Sequence, residues 1–155
     1  MILAAACSNT PKHEDAPAPA PQPVAHEPAK PGPAVIIGPN KINVEVVATE
    51  AKIQRGLMFR EHLPPDDGML FMMPGEKGLG REGWPFWMHN TLIPLDLIWI
   101  DRDMHIVEIV ENAPIKNDNE IGGHVPSRFV LEVNAGYVAA HHVAKGQAVT
   151  FENVN

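Results

Sequence analysis

Residues 95–101 read Leu-Asp-Leu-Ile-Trp-Ile-Asp. In an extended chain, successive side chains point to opposite faces. Leu95, Leu97 and Trp99 then share one face, and Asp96, Ile98 and Ile100 share the other. Both faces are apolar except at Asp96, which is the composition of a strand covered on both sides and therefore central in its sheet. Asp101-Arg102-Asp103 has turn composition, so His105 to Glu111 is expected to return as the hairpin partner. A two-faced central strand needs neighbouring strands and cover on each face, and the rest of the chain is read with that requirement in mind.

Ile42, Val44 and Val46 alternate with Lys41, Asn43 and Glu45, the period of a half-buried strand. Met69 to Met73 is a short apolar run between Gly68 and Pro74, read as a buried strand. Phe129, Leu131 and Val133 alternate with Val130, Glu132 and Asn134, and Ala148 to Val154 supplies a last strand after the Lys145-Gly146 turn. Phe86 to His89 is strand-like, and Gly75 to Pro85 and residues 112–128 are loops. Thr49 is placed to cap a short helix to about Leu57, with Gly56 near its end, and Gly136 to Val143 suits a second. Strands dominate at short spacings, so the expected class is mostly β: a small barrel- or sandwich-like domain with one or two short α-helices.

The 155 residues suit one ordinary domain. The formal charge is −7, and Lys and Arg are scattered singly. A phosphate backbone is tracked by a basic surface, so nucleic acid is not an expected partner. The one cysteine, Cys7, leaves the domain without disulfide or thiolate metal site. No apolar run is long enough to cross a bilayer.

Small residues before that cysteine, in Leu3-Ala-Ala-Ala-Cys7, resemble the cleavage box of bacterial lipoproteins, whose cysteine is acylated. Too few residues precede it for a complete signal peptide, so the start codon is expected upstream, or the chain trimmed. Residues 8–38 hold eight prolines and are read as a disordered tether reaching on the order of 90 Å. The organisation expected is a signal remnant over 1–7 ending at an acylated Cys7, a tether over 8–38 and one globular domain over 39–155. Ser8 after the anchor fits sorting to the periplasmic side of the outer membrane.

Four segments then stand in a familiar order: Gly56-Leu-Met-Phe-Arg-Glu61, Gly68-Met-Leu-Phe71, Phe86-Trp-Met-His-Asn-Thr-Leu-Ile-Pro-Leu-Asp96 and Val130-Leu-Glu-Val-Asn-Ala-Gly136. Together they resemble the bacterial and archaeal family of domain of unknown function 192, over nearly all of residues 41–152. The resemblance implies a compact, mostly β domain, often exported, and no established activity. The family often carries lysine where this chain has His89, which makes His89 a poor candidate for an essential catalytic base.

Asp96 carries the sharpest chemical question, because a buried carboxylate must find charge-assisted partners or take up a proton. One reading is a polar pocket floored by Asp96 and Arg60, with Asn90 and Thr91 as donors and Trp84 and Trp87 as walls, suited to a sugar or small polar ligand. The other is a structural pin, with Asp96 accepting from Arg60 or from backbone near Asn90. Glu132 and Asn134 are expected to face outward, either as solvated positions or as extra polar groups for the same pocket. The eight histidines are dispersed without metal-ligand spacing. The methionines read as core filler rather than a copper site, and no metal or cofactor is expected. Ser8 and Ser127, the only serines, sit in no nucleophile elbow.

The function expected is a non-enzymatic ligand-binding or accessory module of the cell envelope. It would touch the membrane through its lipid anchor and bind a small polar ligand or an envelope protein. Two alternatives stand beside it: a carboxylate-dependent hydrolase of envelope or sugar polymers using Asp96, Glu132 and Arg60, and a structural lipoprotein that positions a partner.

Overall fold

The computed structural model describes residues 31–74 and 83–154. The Cys7 anchor, residues 8–30 of the tether and most of the glycine-rich loop lie outside the described residues. Seven strands, β1 (Ala34–Ile37), β2 (Asn40–Val47), β3 (Asp67–Met72), β4 (Leu95–Ile100), β5 (Ile106–Ala113), β6 (Phe129–Asn134) and β7 (Val149–Glu152), are joined by two short helices, α1 (Glu50–Arg55) and α2 (Tyr137–Ala140). All seven strands lie in one sheet, ordered β5-β4-β6-β3-β2-β1-β7. The sheet curls into a half-barrel, so the mostly β expectation holds, while a closed barrel is not what forms. The β2–β3 pair is parallel and the other strand pairs are antiparallel. A parallel pair needs a crossover, and α1 lies in it.

β4 is buried at all six positions, with β5 and β6 on either side. Leu95, Leu97 and Trp99 pack into one core with Met69, Phe71 and Val130. Ile98 and Ile100 pack into a second, with Leu70, Leu131, Val133 and the α2 residues Tyr137 and Val138. The alternation read from residues 95–101 is the one observed.

α1 caps the first core through Ile53 and the following Leu57. Its Glu50 stands in the first turn and Lys52 and Arg55 in the last, each sign placed to suit the helix dipole. Thr49 occupies the N-cap position but makes no side-chain cap bond, and Gly56 ends the helix at φ +45°, where glycine carries little strain. The turn after β4 closes as expected: Asp101 Oδ1 accepts the His105 amide at 2.8 Å.

Two boundaries differ from the sequence reading. The folded part starts before Pro39: β1 pairs with both β2 and β7, and Ala34, Val35 and Ile37 are buried. The apolar run Ala34–Ile37 was absorbed into the tether by the prolines before it. Phe86 to His89 forms no strand; Phe86 makes a single bridge to Ile121.

Candidate functional site

The segment Trp84-Pro-Phe-Trp87 is held against the first core by hydrogen bonds and ring contacts. Trp99 Nε1 donates to the Trp84 carbonyl at 2.8 Å. Phe86 and Ile121 exchange backbone hydrogen bonds of 2.9 and 2.7 Å. The Phe86 ring stands edge-on to Phe71, with centroids 4.9 Å apart, and to Trp99 at 6.1 Å, the geometry aromatic quadrupoles favour. With Phe86 turned into the core, Trp84 and Trp87 border a groove against α1. Its volume is about 710 Å³, and Ile53, Met73, Trp84, Phe86 and Trp87 contribute to its lining. A cleft of this size and composition suits a small molecule. Trp87 is 49% exposed and stacks on His89, whose Nδ1 meets Asp118 at 2.6 Å.

Ile53, Gln54, Phe86 and Trp87 also line a second cavity of about 20 Å³, which reaches Thr91 and Glu132. Glu132 is only 4% exposed, which corrects the expectation that it faces outward. Its register partners are Met69 on β3 and Leu97 on β4, both members of the first core. Alternation along β6 does set Glu132 opposite Leu131, but in a sheet packed on both faces the second face is interior too. Burial alone pushes the Glu132 carboxyl up to about 8, so it is mostly neutral at pH 7. Among the described residues three buried side-chain atoms lack a hydrogen-bond partner: Glu132 Oε2, Trp84 Nε1 and Ser127 Oγ. The first two belong to residues lining these adjoining cavities. An unpaired buried polar group costs roughly 1–3 kcal/mol.

The other expected site residues are placed as follows. Asp96 is fully buried and accepts the Asn112 amide at 2.8 Å through Oδ1 and the Val138 amide at 2.9 Å through Oδ2. It is therefore pinned by backbone donors of β5 and α2, not by Arg60 or the backbone near Asn90. Arg60 pairs instead with Glu45, in a separate recess of about 460 Å³. Asp96 pairs in register with Val133, and Leu97 with Glu132, so the two carboxyls point to opposite faces of the sheet. No single cleft holds both, as a two-carboxylate hydrolase requires.

Asn90 adopts φ +51°, and its carbonyl accepts the Phe59 amide at 2.9 Å. Thr91 is buried beside Glu132. Asn134 Nδ2 donates to the Leu63 and Pro64 carbonyls at 3.1 and 2.9 Å, tying down a loop. The structure thus brings together Trp84, Trp87, Thr91 and Glu132, and sets Arg60, Asp96 and Asn134 apart from them. The sequence reads Met73 and Phe86 only as core or strand residues and Ile53 only as part of the first helix; the aromatic residues of 84–87 are the one signal for the groove. Among the described residues no group of three His, Cys, Asp or Glu comes together to hold a metal ion.

Comparison with known proteins agrees with this architecture. The family described as DUF192, Uncharacterized ACR, matches residues 34–151. No curated protein matches the chain. A crystal structure of a protein of unknown function from Novosphingobium aromaticivorans is similar at 30% identity and a TM-score of 0.68, covering 81% of this chain and 91% of that one. A second, from Sinorhizobium meliloti and described as a "putative transcription regulator", is similar at 32% identity and a TM-score of 0.69, covering 79% and 93%.

Proposed function

This chain belongs to the DUF192 family, and from that premise we propose that it is a non-catalytic binding module whose groove between α1 and Trp87 holds a small molecule. The observation that carries the reading is the pair of unpartnered polar atoms, Glu132 Oε2 and Trp84 Nε1, set among aromatic and aliphatic walls. A ligand that donates to Glu132 Oε2 recovers the cost of leaving that atom unpaired. A few fixed polar groups in an apolar cleft is the usual makeup of a small-molecule site.

The module is displayed, in this reading, on the periplasmic side of the envelope from an acylated Cys7, with the Pro-rich tether giving it reach. The lipoprotein-like box before Cys7 and the Pro-Ala composition after it support that placement. A nucleic-acid role, which the description of the Sinorhizobium relative invites, runs against the net charge of −7 and the absence of any basic run.

Titration of the intact chain with N-phenyl-1-naphthylamine, whose emission rises in apolar surroundings, tests the groove. One probe per chain is expected to bind, and Trp87→Ala to weaken binding by about tenfold, or 1.4 kcal/mol, with little change in melting temperature. Uptake that Trp87→Ala leaves unchanged puts the probe elsewhere and overturns the reading.

A further inference from the structure

We propose that the ligand of this groove is a primary alkylamine, its ammonium head against the Glu132 carboxylate and its apolar stem between Ile53, Phe86 and Trp87. The inference rests on the groove being a binding site, and it names the ligand class.

Four observations lead to it. First, Glu132 is buried, lines the inner cavity and has an unpartnered oxygen. Its strand neighbours Met69 and Leu97 carry no charge. Arg55 of α1 also lines that cavity, but it is exposed and forms no ion pair with Glu132. His89 is turned to Asp118. Among the described residues, then, no cation compensates the carboxylate. Second, the Glu132 cavity is small, about 20 Å³, and shares Ile53, Phe86 and Trp87 with the larger groove. The unpartnered Glu132 oxygen calls for a donor, and –NH₃⁺ brings three N–H groups where a trimethylammonium brings none. Third, Trp84, Phe86 and Trp87 line the groove, and aromatic rings attract cations. Fourth, among the described residues Glu50 is the charged one lining the groove, and the chain as a whole carries −7. Both favour the approach of a cation over that of an anion.

Binding is an ion exchange. The alkylammonium enters, the Glu132 carboxyl releases its proton to solvent, and the carboxylate accepts the N–H donors of the ligand. Because Glu132 in the free protein holds its proton up to about pH 8, each amine bound below that pH displaces about one proton. Affinity should therefore rise about tenfold per pH unit from pH 6 toward 8 and level off above it.

Displacement of N-phenyl-1-naphthylamine from the intact chain by 1-hexylamine, 1-hexanol and hexyltrimethylammonium tests the assignment. The expected result is displacement by hexylamine with the pH slope just given, with the alcohol and the quaternary amine about tenfold weaker or worse at pH 8. Glu132→Gln, an uncharged near-isostere, should flatten the pH profile and remove the preference for hexylamine over hexanol. Equal competition by hexanol without a pH slope overturns the amine assignment and leaves the groove standing. Equal competition by hexyltrimethylammonium overturns the placement of the head in the Glu132 cavity. Failure of the naphthylamine probe itself to bind overturns the groove reading, and this inference with it.

Discussion

Two buried carboxyls on neighbouring strands meet the cost of burial in opposite ways. Asp96 has a backbone N–H aimed at each oxygen. Asp96→Asn keeps one acceptor and turns an amide nitrogen toward a donor, so a loss of about 1–3 kcal/mol is expected in urea unfolding. Because Asp96 faces the other side of the sheet, probe binding in the groove should stay as it was; a loss of binding in the folded variant would return Asp96 to the site. Glu132 has no such donors and keeps its proton instead. Its carboxyl titrates near 8 in the folded chain against an ordinary 4.5. Between those values the folded state holds a proton that the unfolded chain has lost, so stability falls as pH rises, by up to about 1.4 kcal/mol per unit. The contribution is complete below pH 4.5 and gone above 8. Glu132→Gln cannot ionise, so its advantage over the parent should grow from pH 5 to 8 and reach roughly 3 kcal/mol at pH 7. Parallel stability curves for the two proteins would mean that Glu132 folds in its charged form.

At the scale of elements, the groove exists because β4 holds the 84–87 segment at a fixed height over α1. Trp99 is the link, fully buried in the first core and donating to the Trp84 carbonyl. Trp99→Phe removes that donor and part of the ring. It should destabilise by roughly 1–3 kcal/mol and weaken naphthylamine binding, although Trp99 is not among the groove residues; full affinity in the variant would show that the segment holds its place without the link. How much of this was legible follows from the physics of each element. The strands β2, β3, β4 and β6 could be read because period-two alternation and short apolar runs are local signals. The facing of Leu95–Ile100 was equally plain, since both of its faces are apolar. Glu132 was misplaced because alternation gives the side of the sheet but not whether that side is covered, and the cover comes from α1 and the 84–91 loop. The partners of Asp96 were out of reach for a related reason: they are main-chain groups of Asn112 and Val138, and a backbone amide leaves no mark on residue identity. Trp84, Trp87 and Thr91 are legible by their chemistry, but the sequence offers Asp96 as the pocket's carboxyl, and the fold places Glu132 beside Trp87 and Thr91 instead.

For the molecule as a whole, the question is where the folded unit begins. Composition placed the boundary at Pro39, yet β1 sits between β2 and β7 and joins the last strand to the rest of the sheet. A chain starting at Pro31 keeps every described strand and should melt within a few degrees of the intact protein. A chain starting at Pro39 loses both sets of β1 pairings and the burial of Val35 and Ile37. At about 1.5–3 kcal/mol for each large apolar side chain, that is a substantial part of the roughly 5–15 kcal/mol that holds an ordinary domain together. Its melting temperature should drop by roughly 10 °C or more, and amide exchange at Thr150 and Phe151 should rise first, because β7 is left without its partner strand. Equal melting temperatures for the two chains would mean that β7 finds its place without β1, through the single bridge between His105 and Ala148 and the contacts of Val149 in the core.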